Sequence, residues 1–299
     1  MIRILLTGGQ GQAGQAIVEK AQELNINLIP CDRKKLDITD IVNIQGIIKT
    51  YKPAYIINTA AYTAVDKAES EPEKAFAVNS SGAENLAKIS AQYHIPLIHL
   101  STDYIFDGEK TLPYLESDTA NPIGIYAKSK WAGEEAVRKY CENHIILRIS
   151  WVFGEYGHNF VKTMLKLMKE REELAIVSDQ TGCPTYTGDI AEVILKIITT
   201  SDLAHLYGTY HYANNPSTTW LEFAQAIYSE ASKFDILKTK LIRPIKTTDY
   251  PTPAKRPKNS VLNTDLFQKV FKICLQPWQN GLGKTLTKVY SPVKDNQTG

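Results

Sequence analysis

Tyr126 and Lys130 form the residue pair in this 299-residue sequence that is best suited to proton transfer. A spacing of four residues places both side chains on one face of a helix. A phenol is a weak acid with a pKa of about 10, and an ammonium group close to it favours the phenolate. Thr102, at the end of another segment, could hydrogen-bond the same substrate oxygen. Together the three residues predict a catalytic set that gives a proton to a ketone oxygen while a hydride reaches the carbon.

Three glycines near the N-terminus give this pair its context, because Tyr-x-x-x-Lys spacing alone is common on helix surfaces. Gly8, Gly11 and Gly14 follow a short apolar segment rich in β-formers and precede a segment whose apolar positions recur at helical spacing. Glycines between a strand and a helix allow a tight turn and let a diphosphate approach the amides at the helix N-terminus. The segment predicts a dinucleotide-binding loop, with contacts from these glycines and from Gln10 and Gln12.

The cofactor is expected to be NADPH, with NADH as an alternative. Asp32 lies 18 residues after Gly14, close to where a dinucleotide fold places an acid on the ribose hydroxyls. Residues 33–35 are Arg-Lys-Lys, and such cations could receive the 2′-phosphate of NADP. Arg33, Asp37 and Ile38 are therefore predicted to contact the cofactor together with Asp32.

Apolar segments alternate with amphipathic helical segments through the first half of the chain. The predicted strands cover residues 2–6, 27–31, 54–58, 97–101 and 145–149. This alternation predicts an α/β fold with a doubly wound parallel sheet. Ligands bind such a sheet beyond the carboxyl ends of its strands. Gly8, Ala60 and Thr102 each follow a strand end, so we expect them at one crevice.

The regular alternation is lost in the second half, which predicts a smaller C-terminal substrate domain. We assign residues 1–148 plus about 186–212 to an NAD(P)-binding domain, because residues 208–212 resemble a strand that could rejoin the first sheet. Residues from about 149 to 185 and from 213 to 299 are assigned to the substrate domain.

Composition argues against several other classes of protein. Lys plus Arg is 34 and Asp plus Glu is 32, a balance that argues against a broad nucleic-acid surface. The four cysteines are scattered and show no metal-binding spacing. The sequence opens in a strand without a signal peptide, and no apolar run approaches the roughly 18 residues of a membrane helix. We expect a cytoplasmic protein with no membrane partner.

The motifs resemble those of a known enzyme family. The segments at 8–14, 101–104 and 126–130 are similar to those of extended short-chain dehydrogenases/reductases with a Rossmann domain. A finer similarity is to the dTDP-4-dehydrorhamnose reductase family. It is carried by the segments at 60–69, 150–154, 159–160, 179–185 and 254–257. The resemblance implies that NADPH or NADH reduces the C4 ketone of dTDP-4-dehydro-L-rhamnose, which is dTDP-6-deoxy-L-lyxo-4-hexulose.

The resemblance also implies roles for individual residues. It places a further set of residues at the cofactor: Ala60, Ala61, Tyr62, Asn79, Tyr126 and Lys130. It places another set at the dTDP-sugar substrate: Thr63, Thr102, Asp103, Tyr126, Trp151 and Arg256. The residue types are suitable, since an indole can support a sugar or base and a guanidinium suits a diphosphate.

The chain departs from the family in its metal chemistry. Some members are magnesium-linked dimers held through acidic side chains, one of them just after the glycine loop. Here those positions are Gln15 and Ala16, an amide that is a weak magnesium ligand and a methyl group that is none. We therefore predict no metal site, and a monomer or a weak homodimer.

Two other functions remain open from the sequence. One is a C4 ketoreductase for a different nucleotide deoxysugar, because sugar epimers differ in the direction of one hydroxyl. The other is a non-catalytic, NADP-binding regulatory subunit like the methionine adenosyltransferase β subunit. Thr102, Tyr126 and Lys130 argue against the regulatory subunit.

Overall fold

The computed structural model describes residues 2–199 and 203–291. Its strands are β1 (Arg3–Thr7), β2 (Asn27–Cys31), β3 (Tyr55–Asn58), β4 (Leu97–Thr102), β5 (His144–Ile149), β6 (Val152–Phe153), β7 (Glu173–Val177), β8 (Thr181–Gly182), β9 (Thr185–Tyr186), β10 (Gly208–Tyr212), β11 (Thr218–Thr219) and β12 (Leu241–Ile245). Six of them form one sheet in the order β10-β5-β4-β3-β1-β2, with every neighbouring pair parallel. The predicted doubly wound parallel sheet is confirmed.

Helices cover both faces of this sheet and build much of the second half. They are α1 (Gln12–Glu23), α2 (Ile41–Tyr51), α3 (Val65–Ala68), α4 (Pro72–Phe76), α5 (Ala83–Gln92), α6 (Ile125–Tyr140), α7 (Phe160–Glu170), α8 (Thr187–Thr199), α9 (Trp220–Ala231), α10 (Asp265–Phe271) and α11 (Trp278–Tyr290). Short 3-10 turns lie at Asp103–Ile105 and Thr247–Asp249, and a π-helical segment at Ala77–Gly82 joins α4 to α5.

Alternate residues of the central strands enter two separate cores. Leu6 of β1 packs with Ile17 of α1 and Ile194 of α8 on one face. Leu5 faces the other way and belongs to a core with Ile44 of α2. Burying each such side chain contributes roughly 1.5–3 kcal/mol. Because both faces are covered, the strands are apolar throughout and their carboxyl ends are left as the place for polar groups.

The second half is built differently, from short strand pairs and aromatic packing. β6 pairs with β9, β7 with β12 and β8 with β11. The helices α7, α9 and α11 enclose a core that includes Phe153, Leu165, Phe223 and Trp278. Phe223 lies with its ring centroid 5.4 Å from that of Phe153 and 5.2 Å from that of Trp278.

One helix of the C-terminal segment packs on the large sheet. Phe267 and Phe271 of α10 lie 5.1 Å from Tyr212 and 4.9 Å from Tyr210 of β10, measured between ring centroids. The predicted division assigns β10 to the cofactor domain and α10 to the substrate domain, and that division stays a prediction. Its residues 1, 200–202 and 292–299 lie outside the described part of the chain.

Candidate active site

The glycine loop connects β1 to α1 and runs close to the end of β3. Gly8 has a φ of +70°, and a side chain there would place its Cβ 2.6 Å from the backbone nitrogen of Ala60. A Cβ on Gly14 would collide with the carbonyl oxygen of Gly8. The Gly11 amide donates to that same oxygen at 2.9 Å. Close backbone approach therefore requires glycine at positions 8 and 14.

The first turn of α1 suits an anionic ligand. Among the described residues no side chain caps this helix, and its first turn carries no acidic group. Its leading amides are therefore available to an acceptor from outside the helix, and the helix dipole favours a negative one. Gln12, the first helical residue, accepts a hydrogen bond at its Oε1 from Asn159 Nδ2 at 3.0 Å. The loop fits the diphosphate of the predicted dinucleotide.

Polar side chains follow β2, where the cofactor ribose is predicted. Asp32 accepts hydrogen bonds from Gln10 Nε2 at 3.1 Å and from the Lys35 amide at 2.9 Å. Arg33, with a side chain 80% exposed, donates to Asp37 Oδ2 at 3.2 Å. Both acids are therefore oriented, while the guanidinium of Arg33 lies at the surface and can reach a ligand.

Two further predicted cofactor residues, Ile38 and Asn79, anchor the surrounding structure. Ile38 is buried, and a Cβ on Gly82 would lie 2.7 Å from its Cδ1. Asn79 sits in the π-helical segment, receives the Tyr62 amide at 2.8 Å and donates to the Tyr62 carbonyl at 3.0 Å. It also donates to Ser129 Oγ at 3.0 Å. Asn79 thereby ties the loop after β3 to α6.

The loop after β3 contains Ala60, Ala61, Tyr62 and Thr63 and leads into a segment with two long-range contacts. Ala61 and Tyr62 are half-buried and Thr63 is exposed. Further along, Asp66 Oδ2 accepts from Arg256 at 2.8 Å. Glu69 Oε1 accepts from the Ile125 amide at 2.8 Å, which places a carboxylate at the start of α6.

Thr102, Tyr126 and Lys130 meet where β4 ends beneath α6. Lys130 is 3% exposed, and its ammonium donates to the Leu100 carbonyl at 2.7 Å. Tyr126 is half-buried and lies edge-on to Tyr104, with ring centroids 6.2 Å apart. Thr102 lies close to the Tyr126 hydroxyl. The structure therefore brings the predicted proton-transfer residues together.

Burial sets the protonation of these groups. It raises the pKa of Tyr126 to about 12, against the lowering effect of the nearby Thr102 hydroxyl. Burial also lowers the pKa of Lys130 to about 8, against the raising effect of Glu134. The expectation that Lys130, beside an oxidised nicotinamide, lowers the phenol pKa stays a prediction; in this structure the Lys130 ammonium donates to the Leu100 carbonyl. Tyr126 is consequently a protonated phenol at neutral pH.

Asp103, predicted to face the sugar nucleotide, is 2% exposed and lies behind Thr102. Its Oδ2 accepts from Ser150 Oγ at 2.8 Å, and its Oδ1 accepts from Thr102 Oγ1 at 3.2 Å. Burial raises the pKa of Asp103 to about 6, although hydrogen bonds from Ser260, Ser150 and Thr102 oppose the shift. In this structure Asp103 orients the Thr102 hydroxyl.

Trp151 follows β5 directly and is held by aromatic contacts. Its φ is +41°, an unusual value for a residue with a side chain. Its ring stacks on Trp220, with centroids 3.5 Å apart and planes within 5°. A Cβ on Gly182 would collide with the same indole. One face of Trp151 is therefore covered by Trp220, and a sugar or base would have to use the remaining surface.

A narrow, closely packed cleft lies between the start of α6 and residues 254–257, and Tyr104 and Tyr126 line it. Arg256 lies beside this cleft and is held by Asp66 at 2.8 Å and Thr252 at 2.6 Å. That hydrogen bond to Arg256 holds the pKa of Asp66 below its usual value. The predicted substrate residues Tyr126 and Arg256 thus share a neighbourhood, whereas Trp151 belongs to the aromatic cluster.

Metal chemistry finds little support in the part of the chain that the structure describes. Over residues 2–199 and 203–291, no group of three or more His, Cys, Asp or Glu side chains is placed to hold a metal ion. Gln15 donates its amide to the Gln10 carbonyl at 2.7 Å, and Ala16 is buried. The absence of a metal site stays a prediction.

Among the described helices, none is long and apolar enough to cross a membrane.

Comparison with known proteins decides the family. The family model described as the RmlD substrate binding domain matches residues 2–291. The chain belongs to this RmlD family. A dTDP-4-dehydrorhamnose reductase from Aggregatibacter actinomycetemcomitans is 43% identical over 94% of this chain and 97% of that protein. The reductase of the same name from Escherichia coli K12 is 40% identical over 97% of this chain and 99% of its own.

A solved structure agrees with this assignment. The crystal structure of dTDP-4-dehydrorhamnose reductase from Bacillus anthracis in complex with NADP has a TM-score of 0.89 and 39% identity. It is matched over 96% of this chain and 100% of that one. The resemblance on which the sequence analysis relied is confirmed.

Several residues of this RmlD-family site have contacts that the sequence analysis did not assign: Glu69, Ser129, Ser150, Asn159 and Trp220. Each of these residues directly contacts a predicted site residue, or the helix that carries one, from a position distant in the sequence. Asn159 offered the one local signal, since an Asn before an apolar helical segment is typical of a helix N-cap.

Proposed function

We propose that this RmlD-family chain reduces the C4 ketone of dTDP-4-dehydro-L-rhamnose to dTDP-L-rhamnose, the last step of dTDP-L-rhamnose synthesis. The hydride donor is NADPH, with NADH as an alternative. The observation that carries the proposal is the meeting of Thr102, Tyr126 and Lys130 at the same sheet edge as the glycine loop. The relatives of the chain that carry the reductase name match it over nearly its whole length.

The proton chemistry follows from the protonation of Tyr126. Bound NADPH supplies a hydride to the carbonyl carbon. A phenol with a pKa of about 12 keeps its proton at neutral pH and can give it to the oxygen at C4. In this structure the Thr102 hydroxyl donates its single proton to Asp103, so Thr102 holds the C4 oxygen only after that proton turns toward the substrate. Lys130, with a pKa of about 8, is mostly an ammonium at neutral pH and stabilises the phenolate that is left.

Cofactor binding is assigned to the edge formed by β1, β2 and β3. The diphosphate is assigned to the amides of Gln12 and the rest of the first turn of α1. Asp32 and Arg33 take the adenosine ribose and its 2′-phosphate. The loop from Ala60 to Tyr62, held by Asn79, lines the remaining cofactor surface.

Substrate binding is assigned to the cleft beside Tyr126. Arg256 is placed to neutralise the sugar-nucleotide diphosphate, since a guanidinium binds phosphate oxygens in a bidentate way. Thr63 and Trp151 border the sugar or the base. We place the reaction in the cytoplasm, carried out by a monomer or weak homodimer without nucleic acid or membrane, consistent with the near-neutral charge balance.

The test uses the full chain with the dTDP-4-keto sugar generated in place. Oxidation of NADPH and of NADH is followed by absorbance, and the product is identified by NMR. We expect turnover and dTDP-L-rhamnose as the product. A 4-epimer, or turnover only with another keto sugar, would instead make the chain a ketoreductase of a different deoxysugar. Folded protein that binds NADPH but turns over no keto sugar would support the regulatory subunit.

A further inference from the structure

A loop from the second half of the chain lies against the start of α1. Residues 154–159 follow β6, and Asn159 Nδ2 donates to Gln12 Oε1 at 3.0 Å. Gly157, with a φ of +64°, leaves so little space that a Cβ there would come 3.0 Å from Gln12 Cγ. The half-buried Gln12 side chain is therefore contacted by residues about 145 positions away in sequence.

The orientation of Asn159 is determined by its other contacts. The residue is 7% exposed, and its Oδ1 accepts the Lys162 amide at 3.1 Å, which makes it the N-cap of α7. Its Nδ2 also donates to the Gly154 carbonyl at 2.8 Å. Because the acceptor side is used by the helix and the donor side faces carbonyls, the amide presents its nitrogen to Gln12.

The same residue begins a series of contacts that reaches the substrate side. Phe160, next in sequence, lies 4.5 Å from Trp220 between ring centroids. Trp220 stacks on Trp151 at 3.5 Å. Asn159 therefore lies between the diphosphate loop of the first half and the aromatic cluster of the second.

We propose that Asn159 is a positioning residue for the cofactor, which acts through Gln12 to hold the first turn of α1. The inference rests on the proposed function, since it takes that turn to bind the diphosphate of NADPH. Among the described residues no side chain caps α1. The hydrogen bond from Asn159 to Gln12 therefore restrains the amides of that turn through the Gln12 side chain. Losing it lets those amides move away from the geometry that binds phosphate, and affinity depends steeply on such placement.

The cofactor dependence of the effect distinguishes this role from contacts at the ribose. NADPH and NADH carry the same diphosphate, so loss of the Asn159 donor weakens both by the same factor. A lost hydrogen bond of ordinary strength corresponds to roughly a 3- to 10-fold rise in Kd. The kcat at saturating cofactor stays close to the wild-type value, because Tyr126 and Lys130 are untouched.

The experiment is a double-mutant cycle of Asn159→Ser and Gln12→Met in the full chain. Serine keeps an oxygen that can cap α7 but lacks the amide donor. Methionine keeps the length of Gln12 and removes its acceptor. If Asn159 acts through Gln12, the double variant binds NADPH and NADH no more weakly than Gln12→Met alone. Dissociation constants come from fluorescence titration, with kcat and KM measured in parallel.

Ile227→Val serves as the stability control. Ile227 is fully buried in the core of α7, α9 and α11, so its truncation lowers the melting temperature without touching residues 154–159. We expect its cofactor Kd to equal the wild-type value. A lower melting temperature in Asn159→Ser with unchanged Kd would reduce Asn159 to a structural cap. Additive effects in the cycle, or weakening of NADPH alone, would also overturn the proposal. Wild-type protein that binds neither cofactor would refute the proposed function itself.

Discussion

The cofactor edge of the large sheet and the aromatic region around Trp151 make their sites by different means. At the sheet edge the backbone is the binding surface: Gly8 and Gly14 bring main-chain atoms so close that a Cβ would clash. Around Trp151 the side chains are the surface, and each is held by another, as Trp151 is by Trp220 and Trp220 by Phe160.

The two regions are therefore expected to respond differently to amino-acid substitution. A backbone site depends on a few residues adjacent in sequence, and a side chain at the wrong position obstructs it. A side-chain site depends on contacts between distant segments, so it weakens in proportion to the contact that is lost. Tyr126 and Thr102 lie at the boundary between the two regions, and the proton transfer is assigned to that boundary.

The largest effect on activity is expected from Tyr126→Phe, at the boundary between the two regions. The substitution removes the phenol hydroxyl and keeps the ring that lies against Tyr104. Proton donation contributes about 10²–10⁴ in rate, so kcat should fall by that factor while the Kd for NADPH stays the same. Steady-state kinetics and a binding titration measure the two.

Tyr210→Phe is the matched control for this change, because its hydroxyl donates to the Leu206 carbonyl on the far edge strand. It should leave kcat unaltered. A Tyr126→Phe variant with wild-type kcat would remove the phenol from the reaction.

Asp103, at the same boundary, predicts a pH dependence of the free energy of unfolding. Burial raises its pKa from 3.8 to about 6, so the folded chain holds this proton more tightly than the unfolded chain. Its favourable contribution to folding is complete below the unfolded pKa and is lost as the pH rises through about 6. Two pKa units correspond to on the order of 3 kcal/mol. As the pH rises from 3.8 to about 6, the free energy of unfolding of the wild type should therefore fall relative to that of Asp103→Asn.

Urea denaturation of both proteins across that pH range measures the difference. Parallel curves for wild type and Asp103→Asn would contradict the raised pKa.

A smaller effect is expected in the side-chain region from Trp151→Ala. We expect at least a tenfold loss in kcat/KM for the dTDP-sugar, about 1.4 kcal/mol, with NADPH binding intact. Trp220→Phe, which keeps an aromatic ring against Trp151, should cost less. If Trp151→Ala weakens NADPH binding to the same extent, Trp151 supports the core of the protein and the two regions are less separate than proposed.

At the cofactor edge, replacing both Arg33 and Lys34 by alanine should change specificity more than rate. Both residues are exposed, so folding should be unaffected. The KM for NADPH should rise several-fold, on the order of a surface charge interaction of about 1 kcal/mol, and the KM for NADH should change less. Equal changes for the two cofactors would show that these side chains do not reach the 2′-phosphate.

The smallest expected effect is that of a chelator. Gln15 is bound to Gln10, and Ala16 offers no ligand, so activity and oligomeric state should be the same with EDTA and with magnesium. Size-exclusion chromatography with light scattering and a rate assay measure both. Activity that EDTA abolishes and magnesium restores would prove the prediction of no metal site wrong.

Element boundaries show where local sequence information ran out. From local sequence alone, residues 72–88 predict a single helix that begins at Pro72. In the structure a π-helical segment interrupts it at Ala77–Gly82, where Asn79 bonds to Tyr62 and Ser129. The charged amphipathic pattern predicts another helix from Thr163, but in the structure that helix begins at Phe160, because Asn159 caps it. Both differences arise at residues whose polar groups bond to segments distant in sequence.

Local residue patterns were sufficient to predict the doubly wound sheet, the glycine loop and the pairing of Tyr126 with Lys130. Each follows from spacing within a few residues, because helical and strand periodicity and glycine conformation are local properties. Packing between distant segments determines that Trp220 stacks on Trp151, that Asn159 reaches Gln12, and that burial raises the pKa of Tyr126. Burial and long-range hydrogen bonds depend on how separate segments pack together, which local spacing does not encode.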